Sequence, residues 1–382
     1  MRTVDPKEIK QRAVALGLGL GAADVRVVAA RADAESRQRM ETAFRRGDFA
    51  AWEYDGEYAR RATDPTSLLQ GARSVVCVAV PYATPSPSAT GVLCGRVSNY
   101  AWGSDYHQRL RSLLSAVARE IDDAAGEPST AIVCDTRPLA ERALAASAGL
   151  GWVGKHTNLI SPSSGSFVFL GEIVTRLDLP PDAPLRKSCG TCRRCVDACP
   201  TQALRGDYTI DANRCISDLT QRTGSIPANM RPMLGDWVWG CDICQLVCPP
   251  TQSAKRPASM EWAPRDVEAA RPSLVGLLSL RSGTFKRRYR NTAMGWRGAA
   301  VLRRNAAVAL GNALDRSAVG PLIESLRADP HAMVRGHAAW ALGRIGSPGA
   351  LEALRRQQSV ERDPGVRGEI ASALETFQAR QG

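Results

Sequence analysis

The chain has 382 residues, a formal net charge of +12 and 44% hydrophobic residues. This length predicts two or three domains, the composition excludes a disordered, collagen-like or coiled-coil protein, and no apolar run reaches the ~20 residues of a membrane helix. The N-terminal sequence MRTVDPKEIK has no basic-then-apolar signal pattern, so we expect a mature N-terminus and a cytoplasmic protein. The positive charge favours an anionic partner, although a solvated arginine-rich surface would give the same count.

The first block, residues 1–180, is predicted to form a mixed α/β domain. Helical patterns occur at 106–124 and 139–148, and apolar runs rich in β-branched residues occur at 25–28, 75–80, 131–134 and 167–174. A proline-rich run at 180–184 ends the block as a linker.

An acidic residue, Asp135, follows one of these apolar runs directly. The ends of strands carry the chemistry of many α/β domains. Asp135 is therefore a candidate proton donor if apolar surroundings raise its pKa. Capping of the next helix is the alternative, and the pattern alone favours the cap. The sequence at His107 resembles the Asp-x-His start of a cobalamin-ligating motif, but Leu110 replaces its glycine. We therefore predict an ordinary helix or surface histidine.

A glycine-rich run follows, with the sequence GLGWVGKHTN at 149–158. Its three glycines permit close approach of the backbone, and it also carries Trp152, Lys155, His156 and Asn158. Those side chains would suit a large planar ligand. A tight structural turn is the other interpretation, and the run itself does not decide between them.

Eight of the eleven cysteines lie between residues 189 and 248. The spacing C-x2-C-x2-C-x3-C-P is the bacterial ferredoxin pattern, in which the fourth cysteine ligates a second cluster. A partner run ends in a second Cys-Pro, and one further cysteine lies 26 residues upstream of it. The spacing predicts two [4Fe–4S] clusters, one held by Cys189, Cys192, Cys195 and Cys248 and one by Cys199, Cys215, Cys241 and Cys244. Zinc is the competing interpretation. The remaining three cysteines, Cys77, Cys94 and Cys134, are predicted to be small buried hydrophobic residues.

The last block, residues 274–382, has an internal repeat. The pairs Leu302-Arg303, Val334-Arg335 and Val366-Arg367 recur at a spacing of 32 residues, and Gly311 and Gly343 share that register. The repeat predicts a short stack of HEAT-type helices, with a plain helical cap as the alternative.

Eight basic residues and no acidic residue lie between positions 281 and 314. Three aromatic residues, Phe285, Tyr289 and Trp296, are interleaved with them. Cations for phosphates and aromatic rings for unstacked bases are typical of RNA recognition. A solvated helix face is the alternative.

Several motifs, in this order, have specific spacing: AWEYDGEYARRATDPTSLLQGARSVV, GLGWVGKHTNLI, GSFVFLGEI, CGTCRRCVDACPTQAL, RCISDLTQRTGSIP and WGCDICQLVCP. Together they resemble the epoxyqueuosine reductase family over nearly the whole chain. The resemblance implies reduction of the epoxide of epoxyqueuosine at the wobble position of tRNA. It also implies cobalamin, two [4Fe–4S] clusters, a cobalamin domain related to that of reductive dehalogenases, HEAT-like repeats and a monomer. An external electron donor such as a ferredoxin or flavodoxin would complete the reaction.

The resemblance also implies site residues. Asp135 would protonate the alkoxide as the C–O bond breaks, and Asp218 stands where an aromatic residue is expected. The implied cobalamin contacts are Glu57, Val97, Asp135, Trp152, Lys155, His156, Asn158, Phe169 and Ser217. With tRNA as the implied substrate, the basic residues of the sequence predicted to contact it are Lys286, Arg287, Arg288, Arg290, Arg297, Arg303 and Arg304.

The predicted fold class is α+β multidomain. It comprises an α/β cobalamin-binding catalytic domain at 1–180, a ferredoxin-type domain at 181–260 and tRNA-binding repeats at 274–382. A dehalogenase-like reductase of small molecules is one alternative, and it leaves the basic repeats without a role. A non-catalytic electron-transfer or RNA-binding protein is another, and it leaves Asp135 and the glycine-rich run unexplained.

Overall fold

The structure, a computed structural model, describes residues 5–89, 91, 93–254 and 260–378. The chain divides into two compact units. The first unit comprises Met1–Thr84, Asp105–Asn213 and Ile243–Met260, and the second comprises Pro85–Ser104, Arg214–Asp242 and Glu261–Gly382. Among the described residues, no helix has both the length and the apolar character needed to cross a membrane.

The strands are short and most lie in the first half of the chain. They are β1 (Asp24–Ala29), β2 (Ser74–Pro81), β3 (Arg96–Val97), β4 (Thr130–Val133), β5 (Trp152–Val153), β6 (Leu159–Ile160), β7 (Val168–Thr175) and β8 (Trp237–Trp239).

The helices dominate the second half of the chain. They are α1 (Pro6–Gly19), α2 (Ala34–Arg45), α3 (Gly56–Ala62), α4 (Tyr106–Ala125), α5 (Glu141–Ser147), α6 (Arg194–Asp197), α7 (Ile216–Gln221), α8 (Ile243–Leu246), α9 (Pro249–Ser253), α10 (Val267–Ala270), α11 (Leu274–Leu278), α12 (Ser282–Tyr289), α13 (Ala299–Ala313), α14 (Val319–Ala328), α15 (Ala332–Ile345), α16 (Pro348–Val360) and α17 (Pro364–Gln378).

An antiparallel sheet with the strand order β1-β2-β7-β4 forms the centre of the first unit. Strand β2 is buried along nearly its whole length, as expected for a strand covered on both faces. Each of the four apolar runs predicted from the sequence forms one of these strands, so the prediction of a mixed α/β domain is confirmed.

Helices cover both faces of this sheet. On one face, Leu110 and Leu114 of α4 pack so closely against β7 that a Cβ at Gly171 would lie 2.7 Å from Leu114. On the other face, Leu144 of α5 joins an apolar cluster that includes Cys77 of β2. Cys77 and Cys134 are buried, as predicted, whereas Cys94 is half-buried. The sheet is thus a fixed platform for the loops at its strand ends.

The second unit contains the helical repeats, which confirm the 32-residue period. Helices α13, α15 and α17 start at equivalent positions of successive repeats. A Cβ at Gly311 would lie 2.9 Å from Ala341, and one at Gly343 would lie 2.6 Å from Ala373. The two repeat-related glycines are therefore required by the close approach of successive helices.

Candidate active site and cluster-binding cysteines

Asp135 follows β4 in a loop with an unusual backbone. Its φ angle is 54°, in the left-handed region that residues other than glycine rarely adopt. The side chain is 60% exposed, while the backbone N–H donates to Glu141 Oε1 over 2.8 Å. Helix α5 begins at Glu141 with Ala140 as its N-cap. Asp135 therefore caps no helix, and the capping interpretation is wrong.

The Asp135 carboxylate is held by the first two residues of α4. Tyr106 Oη donates to Asp135 Oδ2 over 2.6 Å, and His107 Nε2 lies 3.5 Å from the same oxygen. The other ring nitrogen of His107 lies 2.6 Å from Asp105 Oδ1. These four side chains form a connected acid site, which we define as Asp105, Tyr106, His107 and Asp135.

The electrostatics of the acid site place the proton on His107. Burial opposes the charge, but hydrogen bonds to Asp105 and Asp135 raise the pKa of His107 to about 9. Burial also opposes ionisation of Asp135, yet hydrogen bonds from His107 and Tyr106 lower the pKa of Asp135. The condition under which the sequence made Asp135 a proton donor, a raised pKa, is therefore not met, because an imidazolium and a phenol stabilise the carboxylate.

A stack of aromatic rings supports this site. Phe169 of β7 lies 4.3 Å from Tyr106 and 4.2 Å from Tyr82, centroid to centroid. Tyr106 in turn lies 4.0 Å from the His107 ring. Phe169 is only 7% exposed, so its buried ring supports Tyr106 by stacking against it.

The glycine-rich run forms the hairpin of β5 and β6. A Cβ at Gly151 would lie 2.2 Å from the Ile160 carbonyl oxygen, so this glycine serves the turn itself. Nevertheless, Trp152 Nε1 and His156 Nε2 are buried with no hydrogen-bond partner among the described residues. Burial lowers the pKa of His156 to about 4, which keeps the ring neutral. Unpaired buried polar atoms of this kind suit a polar ligand.

Two further predicted contacts in the first unit lie in this hairpin. Lys155 Nζ donates to the Gly190 carbonyl oxygen over 2.7 Å, which ties the hairpin to the first cysteine run. The Asn158 backbone N–H donates to His156 Nδ1 over 3.2 Å, and its side chain is half-buried. A third, Glu57 of α3, is exposed and pairs with Arg60.

The predicted contacts in the second unit are less accessible. Val97 in β3 is 3% exposed, and its carbonyl accepts the Trp102 indole N–H over 2.7 Å. Its side chain therefore packs inside the unit rather than facing a ligand. Ser217 in α7 is half-buried, and its hydroxyl accepts a hydrogen bond from Gln221 Nε2 over 3.1 Å.

The four cysteines predicted for the first cluster all lie in the first unit. Burial and the neighbouring thiols of Cys189 and Cys248 raise the pKa of Cys195 to about 11. Burial, together with Cys189 and Cys192, likewise raises the pKa of Cys248. These mutual effects place the four thiols near one another, and all are free. A set of four thiols fits a cubane cluster.

The other four predicted ligands are likewise cysteines outside any disulfide bond. Cys199 Sγ accepts the Ala203 backbone N–H over 3.3 Å, a contact that suits a cluster thiolate. Cys215 begins α7 as its N-cap. Among the residues that the structure describes, no His, Cys, Asp or Glu group converges on a single metal ion.

Two arginines predicted to contact tRNA are buried, which corrects that prediction. Arg304 is fully buried, and its guanidinium donates to the carbonyls of Arg222, Gly224 and Leu219 over 2.7–2.9 Å. Arg303 is 7% exposed and pairs with Asp329 over 2.6 Å. Both side chains hold the protein together.

Of the three aromatic residues between the basic residues, two are buried and one is exposed. Phe285 and Tyr289 are buried on the inner face of α12, so the expectation of stacked bases on them is wrong. Trp296 is 52% exposed, with the Arg297 guanidinium 3.7 Å from the centre of its ring. Lys286, Arg287 and Arg290 are exposed, and Arg288 is half-buried beside Asp266. We call residues 286–297 the basic segment.

Four residues were missed at the sequence level: Asp105, Tyr106 and His107 of the acid site, and Glu172. Asp105 and Tyr106 directly precede His107, which the sequence assigned to an ordinary helix or surface, and their role depends on the loop that brings Asp135 to them. Glu172 is an acidic residue within the apolar sequence of β7. That contrast was a usable signal, since a buried carboxyl group is costly unless it has a function or a partner.

Family models match three parts of the chain. They are described as "Epoxyqueuosine reductase QueG, DUF1730" for residues 62–136, "4Fe-4S double cluster binding domain" for residues 188–251 and "HEAT repeats" for residues 298–375. With the acid site, they define an iron–sulfur oxidoreductase that carries helical repeats. The double-cluster match favours iron–sulfur over zinc for the cysteines.

Whole-chain comparisons identify the family. Epoxyqueuosine reductase of Bacillus anthracis is 37% identical over 82% of this chain and 84% of its own length, and that of Staphylococcus aureus is 32% identical over 98% of both. A crystal structure of epoxyqueuosine reductase with an epoxyqueuosine-modified tRNA stem loop matches 98% of this chain and all of its own, with a TM-score of 0.91 and 32% identity. The chain belongs to the epoxyqueuosine reductase family.

Proposed function

We propose that this protein reduces the epoxide of epoxyqueuosine to queuosine at the wobble position of tRNA. The observation that carries the proposal is the acid site, in which Asp135 is held by Tyr106 and His107. It occurs in a chain that matches, over 98% of its length, a reductase crystallised with the modified stem loop. Removal of the epoxide oxygen as water consumes two electrons and two protons.

Cobalamin and two [4Fe–4S] clusters are the cofactors of this reaction. When bound, cobalamin supplies a low-potential cobalt centre and the clusters supply electrons singly. Trp152 and His156 have buried polar atoms that suit the corrin side chains, and Lys155, Asn158, Phe169 and Asp135 lie on the same unit. Glu57 and Ser217 are the remaining proposed contacts, and Val97, whose side chain is buried, is not among them.

Each cluster takes four thiolates in this proposal. The first cluster uses Cys189, Cys192, Cys195 and Cys248, and the second uses Cys199, Cys215, Cys241 and Cys244. Support for the first set comes from the mutual influence of its thiols. Support for both comes from the ferredoxin spacing. An external donor such as a ferredoxin or flavodoxin supplies the electrons.

The acid site supplies the first of the two protons, the one that goes to the epoxide oxygen as the C–O bond breaks. His107 holds a proton at neutral pH, and Asp135 shares it through the contact at Oδ2. As negative charge develops on the oxygen, the basicity of the alkoxide exceeds that of the carboxylate, so the proton moves outward. Tyr106 keeps Asp135 Oδ2 in position by donating its hydroxyl hydrogen.

The basic segment is the proposed tRNA contact on the second unit. Lys286, Arg287, Arg288 and Arg290 are available for phosphates. The exposed Trp296, with the half-buried Arg297 stacked on its ring, is available for an unpaired base. We assign the catalytic, cluster and tRNA-binding roles to residues 1–180, 181–260 and 274–382. A monomer in the cytoplasm, where tRNA is modified, completes the proposal.

An anaerobic assay tests the reaction. Protein reconstituted with both clusters and cobalamin is mixed with a strong reductant and an anticodon stem loop that carries epoxyqueuosine, and its nucleosides are analysed by mass spectrometry. We expect the loss of one oxygen atom, and no loss without cobalamin. No conversion by fully loaded protein, together with reduction of halogenated phenols, would instead favour a small-molecule reductase.

A further inference from the structure

Two carboxyl groups that the proposed reaction does not use lie beneath the Asp135 loop. Glu172 is in the middle strand β7, where its neighbours are Cys77 of β2 and Val133 of β4. It is 0% exposed, and neither of its carboxyl oxygens has a hydrogen-bond donor among the described side chains. The group that it faces is the carboxyl of Glu141, at the start of α5.

This arrangement requires a proton. A carboxylate without donors in an apolar core is far less stable than a protonated carboxyl group. Burial, followed by the charge of Glu141, raises the pKa of Glu172 well above its ordinary value. Burial also raises the pKa of Glu141 to about 7. At neutral pH the pair therefore holds a proton, with the Glu172 O–H donating to the Glu141 carboxylate.

Besides facing Glu172, Glu141 contacts the acid site. Glu141 Oε1 accepts the backbone N–H of Asp135 over 2.8 Å, at the residue whose φ angle is 54°. A residue other than glycine is strained in the left-handed region and persists there only where its surroundings hold it. The hydrogen bond to Glu141 is such a restraint, and it sets the direction of the Asp135 side chain.

We propose that Glu141 and Glu172 are positioning residues that share a proton and hold the Asp135 loop in its reactive conformation. The proposal rests on the proposed role of Asp135 in the reaction. In a Bacillus subtilis epoxyqueuosine reductase structure with a TM-score of 0.91, the catalytic aspartate loop is swung out of the active site. That loop therefore has two positions in a relative, and the carboxyl pair gives this chain a means of favouring one.

The pair also makes the loop sensitive to pH. Loss of the shared proton would leave two carboxylates side by side inside the sheet, where their repulsion weakens the anchor of the Asp135 N–H. The charged and titratable groups that face the pair are Tyr58 on α3, Cys77 on β2, Cys134 and Asp135 after β4, and Arg142 on α5. Of these, the Asp135 backbone N–H and Arg142 favour ionisation of Glu141, and the charge of the Asp135 carboxylate opposes it.

Amide hydrogen exchange tests the anchor directly. Protein with both clusters is examined by mass spectrometry from pH 6 to pH 9, with rates over residues 134–140 corrected for intrinsic exchange. Glu141→Leu removes the acceptor, so we expect at least tenfold faster exchange at Asp135 at pH 7. Glu141→Gln keeps an acceptor oxygen and is expected to exchange slowly. Glu120→Gln on α4 is the matched control and should behave as wild type.

The pH response tests the shared proton. Wild-type exchange at Asp135 should accelerate at alkaline pH, where Glu172 loses the shared proton. Glu172→Gln keeps a donor and cannot ionise, so its exchange should stay slow up to pH 9. Equal pH responses of wild type and Glu172→Gln, or unchanged exchange in Glu141→Leu, would overturn the proposal. If Glu141→Leu does not fold, the comparison of Glu172→Gln with wild type decides alone.

Kinetics separate positioning from binding. Glu141→Leu should lower kcat roughly tenfold to a hundredfold with an unchanged KM for the stem loop, because a misplaced group loses rate rather than substrate affinity. If Asp135→Asn were as active as wild type, the proposed role of Asp135 would be wrong. The exchange measurements would still decide whether the carboxyl pair anchors the loop.

Discussion

The acid site of the first unit and the helical repeats of the second unit use charged side chains in opposite ways. In the acid site, Asp135 is 60% exposed while partners on α4 hold its carboxylate. In the repeats, Arg304 is fully buried and its guanidinium donates hydrogen bonds to backbone carbonyls. A reactive charged side chain and a structural one therefore differ in their exposure and in the groups that bind them. The number of charged residues in a region does not show this difference.

The same contrast exists inside the second unit. Arg303 pairs with Asp329, and one repeat later Arg335 pairs with Glu361 over 2.7 Å. These two ion pairs occupy equivalent positions 32 residues apart, so they belong to the architecture of the repeat. Lys286 and Arg287, by contrast, are exposed and have no acidic partner among the described side chains. Of these residues, only the exposed Lys286 and Arg287 are available to bind phosphates.

The largest effect is expected at the acid site. Asp135→Asn preserves size but cannot accept and pass on the His107 proton, so the rate of epoxide reduction should fall roughly 10²- to 10⁴-fold. Single-turnover assays on the modified stem loop measure the change. Cluster absorbance and thermal unfolding serve as controls and should match wild type. A loss below threefold would contradict the role of Asp135.

A structural effect of comparable size is expected at Arg304. Replacement by Met removes the donors for at least three buried carbonyls, so unfolding free energy should fall by about 2–4 kcal/mol. Denaturant unfolding of the full chain measures this loss. Arg287→Met, on the exposed face, is the matched control and should leave stability within error. Equal effects of the two substitutions would remove the distinction between buried and exposed arginines.

A smaller effect is expected on RNA binding. Reversing the charge at Lys286, Arg287 and Arg288 to Glu should weaken stem-loop binding roughly tenfold or more and flatten its dependence on salt, because fewer counterions are released. Fluorescence anisotropy at several salt concentrations measures both quantities. Charge reversal at Arg355 and Arg356 of α16 is a control with similar exposure. Unchanged affinity of the triple variant at moderate salt would exclude the basic segment as the tRNA contact.

The smallest effect is expected at His107. Its pKa is raised above the ordinary value to about 9, so the protonated form and its stabilising contacts persist at neutral pH and are lost as the pH rises through about 9. Wild-type activity should fall over that range. His107→Gln should be roughly tenfold slower at pH 7 and lack the alkaline decline. A decline at the same pH in both proteins would assign the titration to another group.

Much of the fold could be predicted because its signals are local. The apolar runs of the central sheet, the 32-residue period and the cysteine spacing each lie within one stretch of sequence. The position of Asp135 at a strand end was visible for the same reason. These features required no knowledge of which segments meet.

The partners of the site could not be predicted because they depend on long-range register. Glu172 meets Glu141 only because β7 lies between β2 and β4 in the sheet. Tyr106 and His107 contact Asp135 in a loop whose backbone is left-handed at Asp135. In the same way, Arg304 is buried because residues 219–224 cover it. In the sequence, the buried arginines and the exposed basic residues occur in the same kind of basic pattern, so the pattern could not distinguish them.

The most direct test of the central claim is the distance between Asp135 and the epoxide oxygen. We would determine the structure of the fully loaded protein with an unreduced epoxyqueuosine stem loop. The account predicts that an Asp135 carboxylate oxygen lies within about 2.6–3.2 Å of the epoxide oxygen, or one water away. An epoxide placed beyond that reach, with another acidic group against its oxygen, would contradict it.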